Sequence, residues 1–215
     1  MDLENYKKAW ENQTEENQKV TKEEVYKMTK SKSSSIVKWI FIVGIIEFAF
    51  WLTLNAVFSN YEGLKVYEEL NMMQYLNFLY YINFAVVVIF LYYFYKNYSS
   101  ISTIDNTKSL MNKIIKTRKT VKYYVNFNVL ATLFAVFLFN ILIISTPNGI
   151  ETMLAADNVK LDDTKNLMAI YIISQAIAVA IMILFLIGFY YLLYGIMLKK
   201  LKRNYKELAK LEDLN

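Results

Sequence analysis

Within the apolar parts of this sequence, one acidic residue has a side chain that could do chemistry. Glu47 lies near the middle of residues 36–58, a run of 23 mostly apolar residues. A charged group at the middle of a bilayer costs at least about 2.5 kcal/mol, so a carboxyl there must be protonated, paired or hydrogen-bonded. Side-chain amides in the apolar runs are its candidate partners: Asn55, Asn83, Asn140 and Gln175.

These amides lie at depths similar to that of Glu47 if the helices are aligned at their outer ends. At ~1.5 Å of rise per residue, Glu47, Asn83, Asn140 and Gln175 lie about 9–16 Å from those ends, and Asn55 shares a helical stripe with Glu47. We predict an intramembrane polar cluster that holds the helices together through hydrogen bonds of about 0.6 kcal/mol each. The alternative is a proton or ligand site centred on Glu47. Apart from Lys38 and Lys96 near the ends of their runs, the apolar runs contain no basic residue and no second acidic residue, which favours the packing role.

The composition removes most kinds of catalysis. The sequence contains no cysteine and no histidine, so it lacks thiolate nucleophiles, imidazole bases and the commonest zinc, iron and haem ligands. Its five glycines form no phosphate-binding loop, and no serine or threonine has a histidine base. We therefore expect that the protein is not an enzyme and has no catalytic, cofactor-binding or metal-binding residues.

The elements that must position Glu47 are membrane-spanning helices. The sequence is 56% hydrophobic, and its apolar residues form blocks that can cross a hydrocarbon core of about 30 Å, which takes ~20 helical residues. In lipid, only helices and closed barrels satisfy every backbone hydrogen bond. We predict an all-α fold, a four-helix transmembrane bundle with cytoplasmic amphipathic helices. Its spans should cover about residues 36–58, 75–96, 123–146 and 167–198.

The polar segments divide the chain into three parts. These are an N-terminal helical segment, a four-span transmembrane domain and a C-terminal helical tail, at residues 1–35, 36–198 and 199–215. In the first part, a capping box from Thr21 to Glu24 predicts the start of a short helix. The serine-rich residues 31–35 predict a flexible joint before the first span.

Two further signals concern the third span. We predict a separate amphipathic surface helix before it, at about residues 105–121, capped by Asp105 or Thr107. The turn signal at residues 147–149, which contains the single proline of the sequence, should end the third span near Thr146. The fourth apolar run is longer than a span needs, so we expect its helix to project into the C-terminal tail.

Basic residues are distributed unevenly among the polar segments. Residues 1–38, 96–122 and 199–215 contain 21 of the 24 Lys and Arg residues, whereas 59–74 and 147–166 contain 3. Cytoplasmic segments carry such an excess, so we expect a multi-pass membrane protein with both termini in the cytoplasm. We expect no direct binding of nucleic acid, because topology accounts for the charges. Tyrosines that fit an aromatic belt crowd the same side, among them Tyr124, Tyr190, Tyr191 and Tyr194.

The N-terminal segment carries an apolar patch. Leu3, Tyr6 and Trp10 follow the i, i+3, i+7 spacing of one helical face. Trp is among the residues most often found at the centre of protein interfaces. We predict that these three residues bind a partner, and docking on the protein's own basic helix is the alternative.

Two stretches of the sequence are similar to those of a known group of proteins. Residues 2–10, DLENYKKAW, and residues 107–124, TKSLMNKIIKTRKTVKYY, resemble small multi-span membrane proteins from Bacteroidota that are described as anti-sigma-factor-like. The resemblance implies a location in the bacterial inner membrane and a cytoplasmic regulator, such as a sigma factor, as the partner. Some members are labelled beta-carotene 15,15'-monooxygenase, but carotenoid-cleaving enzymes hold iron with histidines, and this sequence has no histidine.

Two functions remain open at this point. The first is a non-catalytic membrane protein that presents cytoplasmic segments to a regulatory partner. The alternative is a small-solute or proton pathway, or an accessory subunit of a transporter, centred on Glu47. In either case the lipid bilayer is a partner, and assembly of the spans as a homo-oligomer stays open. A continuous hydrated cavity lined by Glu47 would favour the second function.

The absence of cysteine lets single-cysteine variants test the topology. We expect an impermeant thiol reagent applied from outside to label Lys65→Cys and Asn158→Cys. The reagent should reach Gln18→Cys, Asn112→Cys and Lys210→Cys only after the membrane is permeabilised. Labelling of Asn112→Cys in intact cells would overturn the topology.

Overall fold

The computed structural model describes residues 21–59, 61–102, 106–156 and 166–212, and these ranges form helices and turns without any strand. In chain order the helices are α1 Lys22–Phe58, α2 Lys65–Glu69, α3 Met73–Ser102, α4 Thr107–Ser145, α5 Gly149–Ala156, α6 Leu167–Tyr190 and α7 Ile196–Glu212. A 3₁₀ turn at Glu62–Leu64 precedes α2, and a π-helical turn at Tyr191–Gly195 joins α6 to α7.

Four helices are long and apolar enough to cross a membrane. They are α1, α3, α4 and the continuous helix of 46 residues that α6, the π turn and α7 form together. The predicted all-α bundle with four spans is confirmed, and the protein is a multi-pass membrane protein. The fourth helix continues into the C-terminal tail as the sequence predicts, but the π turn within it was not predicted.

Two helix ends follow their local sequence signals. At the start of α1, Glu24 N donates to Thr21 Oγ1 over 3.2 Å, and Thr21 N donates to Glu24 Oε2 over 2.8 Å, so the predicted capping box is confirmed. At the end of α4, Thr146 is the C-cap, as the turn signal predicts. The chain reverses there through Asn148, whose φ of 56° is one that asparagine adopts more readily than most residues.

The predicted flexible joint at residues 31–35 is wrong, because α1 runs through it without interruption. Ser33 lies in the middle of this stretch and is buried, and its Oγ accepts a hydrogen bond of 3.0 Å from Asn204 Nδ2 of α7. Tertiary packing has therefore overridden the weak helix propensity of serine.

The predicted separate surface helix at about residues 105–121 is also wrong. These residues form the first part of α4, which continues to Ser145. The N-cap is Asn106, whose Oδ1 accepts from Ser109 N over 2.8 Å, whereas Thr107 is the first helical residue. Asp105, the other predicted cap, lies outside the described residues.

The long helices pack together beyond their apolar parts. We call this region the basic extension: residues 22–38 of α1, 96–102 of α3, 107–122 of α4 and 196–212 of α7. Its buried apolar side chains, such as Leu208, belong to the same core cluster as those of the spans, such as Val87. Besides the Ser33–Asn204 bond, Asn97 Nδ2 donates to Thr120 Oγ1 over 3.1 Å. The basic extension is therefore a direct continuation of the spans.

The opposite end of the bundle has a second, smaller core. The helix α1 ends at Phe58, and α2 with the turn that follows it fills the space beside α4 and α6. The ring of Tyr67 packs edge-on against Phe139 at 5.9 Å between centroids. The buried apolar residues of this core are Met72, Phe139, Ile143 and Tyr171.

The helices α1 and α3 pack tightly against each other at Gly44. A Cβ atom there would lie 3.0 Å from Leu91 Cδ2 and 3.1 Å from Phe94 Cδ2. Small residues at helix interfaces allow such an approach in membranes. Gly188 of α6 provides a contrast, because it is exposed and a Cβ there would meet nothing within 4 Å.

We expect Gly44→Leu to lower the melting temperature in detergent by several degrees, because the larger side chain forces α1 and α3 apart at a cost of about 1–3 kcal/mol. Gly188→Leu is the matched control. It makes the same change in helix propensity at an exposed site and should not lower the melting temperature. Equal melting temperatures for the two variants would contradict the close contact at Gly44.

Candidate functional site

Glu47 lies inside the bundle, on the face of α1 that also carries Gly44. It is 3% exposed. Its Oε2 accepts a hydrogen bond of 2.6 Å from the hydroxyl of Tyr194, which is fully buried in the π turn. The bond joins residues 147 positions apart in the sequence. It therefore ties the first span directly to the fourth.

Three buried tyrosines surround the carboxyl. We call Tyr124, Tyr190 and Tyr194 the tyrosine cluster; the first belongs to α4, the second ends α6 and the third lies in the π turn. The ring of Tyr194 is 5.7 Å from that of Tyr124 and 6.3 Å from that of Tyr190. Phe94 of α3 closes the group, 5.3 Å from Tyr124. All four spans thus contribute a side chain to one site.

The second oxygen of Glu47 has no such partner. Its Oε1 is buried and accepts no hydrogen bond from the residues that the structure describes. The hydrogen bond that the described residues give to this carboxyl is the one from Tyr194 to Oε2. The site can therefore hold a proton on Oε1, or accept one more bond there, while Oε2 keeps its donor.

The π turn determines where Tyr194 lies. Such turns insert an extra residue into a helix and are frequent at functional sites. A Cβ on Gly195 would lie 2.7 Å from the ring of Tyr191, so glycine lets that ring lie flat beside the turn. The hydroxyl of Tyr191 accepts a bond of 2.6 Å from the exposed Lys199. Tyr191 is therefore held on the outside of the turn and Tyr194 on the inside.

The rings of the site lie close to the boundary between the spans and the basic extension. On three helices a lysine follows or precedes one of these rings by two to five residues: Lys96 near Phe94, Lys122 near Tyr124, and Lys199 near Tyr194. Glu47 lies deeper on its own helix, nine residues or about 13 Å from Lys38. The site therefore joins the interior of the first span to the parts of the other helices that lead into the basic extension.

The described residues provide no metal site, since no three His, Cys, Asp or Glu side chains among them come together as a metal ion requires. Two cavities lie among the described residues. One, of about 250 Å³, lies at the far end of the basic extension beside Lys108 and Leu211. The other, of about 520 Å³, lies between α4 and α6. Glu47 lines neither of them.

Comparison with known proteins gives a family. The family described as "Domain of unknown function (DUF8845)" matches residues 23–213. The chain belongs to this family. No match was found among the curated proteins or among the solved structures. The DUF8845 match includes all four spans and nearly all of the basic extension, so the site around Glu47 lies within the family's domain.

The predicted meeting of Glu47 with the four amides is not observed in this DUF8845 domain. Among the described residues, no hydrogen bond joins Glu47 to Asn55, Asn83, Asn140 or Gln175. Asn55 is exposed on α1, and Asn83 and Gln175 are half-buried. Asn140 is bonded instead to Tyr171 in the second core, where its Oδ1 accepts from the tyrosine hydroxyl over 2.8 Å.

The depth estimate failed because the outer ends of the helices are not level. Glu47 lies about 16 Å from the end of α1 at Phe58, whereas its partner Tyr194 lies about 40 Å from the start of α6 at Leu167. The fourth helix therefore extends well beyond the end of α1, and α2 packs in the space beyond that end. Asn140 of α4 and Gln175 of α6 lie about 24 Å and 28 Å along their helices from Tyr124 and Tyr194, and are therefore far from Glu47.

The predicted partner-binding residues Leu3, Tyr6 and Trp10 lie outside the described residues. The residues of the tyrosine cluster are predicted from the sequence to belong to an aromatic belt, whereas in the structure they are buried. The i, i+4 spacing of Tyr190 and Tyr194 was the available signal, because it places both on one helical face.

The Glu47–Tyr194 bond can be tested by substitution. Tyr194→Phe removes the donor from a buried carboxyl, and we expect a loss of about 1–3 kcal/mol in unfolding free energy. Tyr191→Phe, in the same turn, removes a hydroxyl that an exposed lysine contacts, and should cost less than about 0.5 kcal/mol. Glu47→Gln keeps a hydrogen-bond acceptor and should be tolerated, whereas Glu47→Leu leaves Tyr194 unpaired and should not.

A double variant separates the bond from simple loss of packing. Glu47→Leu combined with Tyr194→Phe replaces both partners by apolar groups, so it should be more stable than Glu47→Leu alone. The unfolding free energies of the wild type, Glu47→Leu, Tyr194→Phe and the double variant are measured in detergent. Strictly additive losses would mean that the bond contributes nothing. Loss of function in a folded Glu47→Gln protein would instead favour a proton-linked role.

Proposed function

We propose that this protein is a non-catalytic regulatory protein of the bacterial inner membrane, with both termini in the cytoplasm. In this proposal the basic extension and the N-terminal segment present a surface to a soluble cytoplasmic regulator. A sigma factor is the partner class that the sequence resemblance implies. The observation that supports the proposal is the unbroken passage of the spans into the basic extension.

This continuity gives the spans a mechanical connection to the cytoplasmic surface. The helices α1 and α4 run through the level of Glu47 without a break, and the fourth helix does so through its π turn. Interhelical bonds between Ser33 and Asn204, and between Asn97 and Thr120, hold the helices together in the basic extension. A shift of α1 against the fourth helix at Glu47 would therefore alter the surface of the extension.

The exposed surface of the extension is mainly basic. On α7 the apolar residues Leu201 and Leu208 point into the core, while the cations lie outside. Clustered charge of one sign attracts partners with an acidic surface and raises the rate of encounter. The exposed basic residues of α4 and α7 are Lys108, Lys116, Lys119, Lys122, Lys199, Lys200, Lys202, Arg203, Lys206 and Lys210.

A proton or solute pathway centred on Glu47 is the second candidate. The observation in its favour is the unpartnered Oε1 atom. A pathway also needs a route for its cargo, and neither of the two cavities is lined by Glu47. We therefore favour the regulatory role, in which the carboxyl needs no contact with solvent.

Photo-crosslinking in living cells tests the regulatory role. A photoreactive amino acid replaces Arg203, whose side chain is 72% exposed on α7, and in a second strain it replaces Lys116 on α4. We expect each to form a discrete adduct with a soluble protein, identified by mass spectrometry. Tyr61, exposed at the opposite end, is the control position and should form no such adduct.

The N-terminal prediction adds a second comparison. Trp10→Ala should weaken the adduct formed from position 203 while the protein keeps its melting temperature, if Trp10 anchors the partner. Loss of stability together with an unchanged adduct would mean that Trp10 docks on its own protein. Absence of any adduct from both extension positions would overturn the regulatory proposal.

A further inference from the structure

The lipid-facing side of the bundle carries a groove between α4 and the fourth helix. It is the cavity of about 520 Å³. Its floor is buried and consists of Leu186, Tyr190 and Tyr194, whereas residues of its rim, such as Asn126 and Ile187, are exposed. The groove is thus a surface channel with a tyrosine floor, and it opens to the side of the bundle.

Polarity changes from one end of the groove to the other. Because α4 and the fourth helix are antiparallel, Lys122 and Leu198 mark one end, and Leu130 and Leu186 mark the other. The first end adjoins the basic extension, and the second lies among the apolar residues of the spans. From Lys122 to Leu130 the groove extends about 12 Å along α4. An occupant must therefore be an amphiphile of that length or more.

The charge at the polar end selects the kind of headgroup. Lys122 is exposed, and no acidic residue lines the groove. The Nζ atom of Lys199 lies 2.6 Å from the hydroxyl of Tyr191, which also lines it, so a second cation stands at the rim. Basic pockets between membrane helices bind anionic lipid headgroups.

We propose that this groove binds one anionic phospholipid of the surrounding leaflet. One acyl chain lies between α4 and α6, and the phosphate lies against Lys122. The chain contacts the groove floor at Tyr190, whose ring stacks on that of the fully buried Tyr194 at 6.3 Å between centroids. Lipid occupancy therefore restrains, through Tyr190, the ring that donates to the buried carboxyl. The proposal does not depend on the regulatory role, since it holds whether or not a soluble partner exists.

Native mass spectrometry of the delipidated full-length protein tests the headgroup. The probes are phosphatidylglycerol and phosphatidylcholine with identical acyl chains. We expect one phosphatidylglycerol to bind about fivefold more tightly, the effect of one lysine near an anionic headgroup. Lys122→Gln should abolish this preference. Lys38→Gln, an exposed lysine at the start of the first span, is the matched control and should retain it.

Groove-filling variants test the acyl chain. Ile187→Trp fills the rim and should weaken binding of both lipids, and Leu130→Trp should do the same from the opposite wall. Ile181→Trp is the control, since Ile181 is 63% exposed and does not line the groove. All three positions are exposed, so the substitutions should leave the fold intact, which circular dichroism checks.

Several outcomes would overturn the proposal. One is a preference for phosphatidylglycerol that survives Lys122→Gln or disappears equally in Lys38→Gln. Another is unchanged lipid binding in both groove-filling variants. Competition by glycerol phosphate at the same concentration as the lipid would show that phosphate alone binds. A dimer that Ile187→Trp converts to monomers would show that a second copy of the chain covers the groove.

Discussion

A carboxyl group buried among apolar helices needs a hydrogen-bond donor, and Tyr194 supplies one to Glu47 over 2.6 Å. Leaving either group unpaired would cost about 1–3 kcal/mol. The rings that enclose the pair come from the other helices, with Phe94 on α3 and Tyr124 on α4. Sliding any of these helices by one turn would break the bond or open the enclosure. The site therefore fixes the relative heights of the four spans.

The same constraint explains why the basic extension has its own buried polar contacts. Once the spans are fixed at Glu47, their continuations must lie side by side, and polar residues on the inner faces must find partners. Ser33 pairs with Asn204, and Asn97 pairs with Thr120. Thr117, also buried, bonds instead to the carbonyl of Lys113 in its own helix. The extension is thus stabilised by packing and by these bonds together.

Local signals in the sequence were enough to predict much of the fold. The lengths of the apolar runs predicted four spans, the Thr21–Glu24 capping box predicted the start of α1, and Pro147 predicted the end of α4. The errors arose where a neighbouring helix decides the outcome. Ser33 is helical because α7 covers it, and the partner of Glu47 depends on how far α1 is offset from α6. Neither contact has a signature in its own segment.

The nature of the donor accounts for the difference between the predicted site and the observed one. An asparagine in a helix can satisfy its own amide locally: Asn128 Nδ2 donates to the carbonyl of Tyr124 over 2.9 Å, and Asn140 Nδ2 to that of Val136 over 2.8 Å. An amide that donates to its own helix in this way does not need Glu47 as its acceptor, and Asn140 Oδ1 accepts instead from Tyr171.

A tyrosine has no such local option, because its hydroxyl stands at the far end of a rigid ring and cannot return to the backbone of its own turn. Its direction is set by ring packing, and each aromatic contact contributes about 0.5–1.5 kcal/mol beyond the area it buries. Tyr194 packs against Phe94, Tyr124 and Tyr190. Aromatic packing therefore positions the hydroxyl, and Glu47 is the acceptor that this position requires.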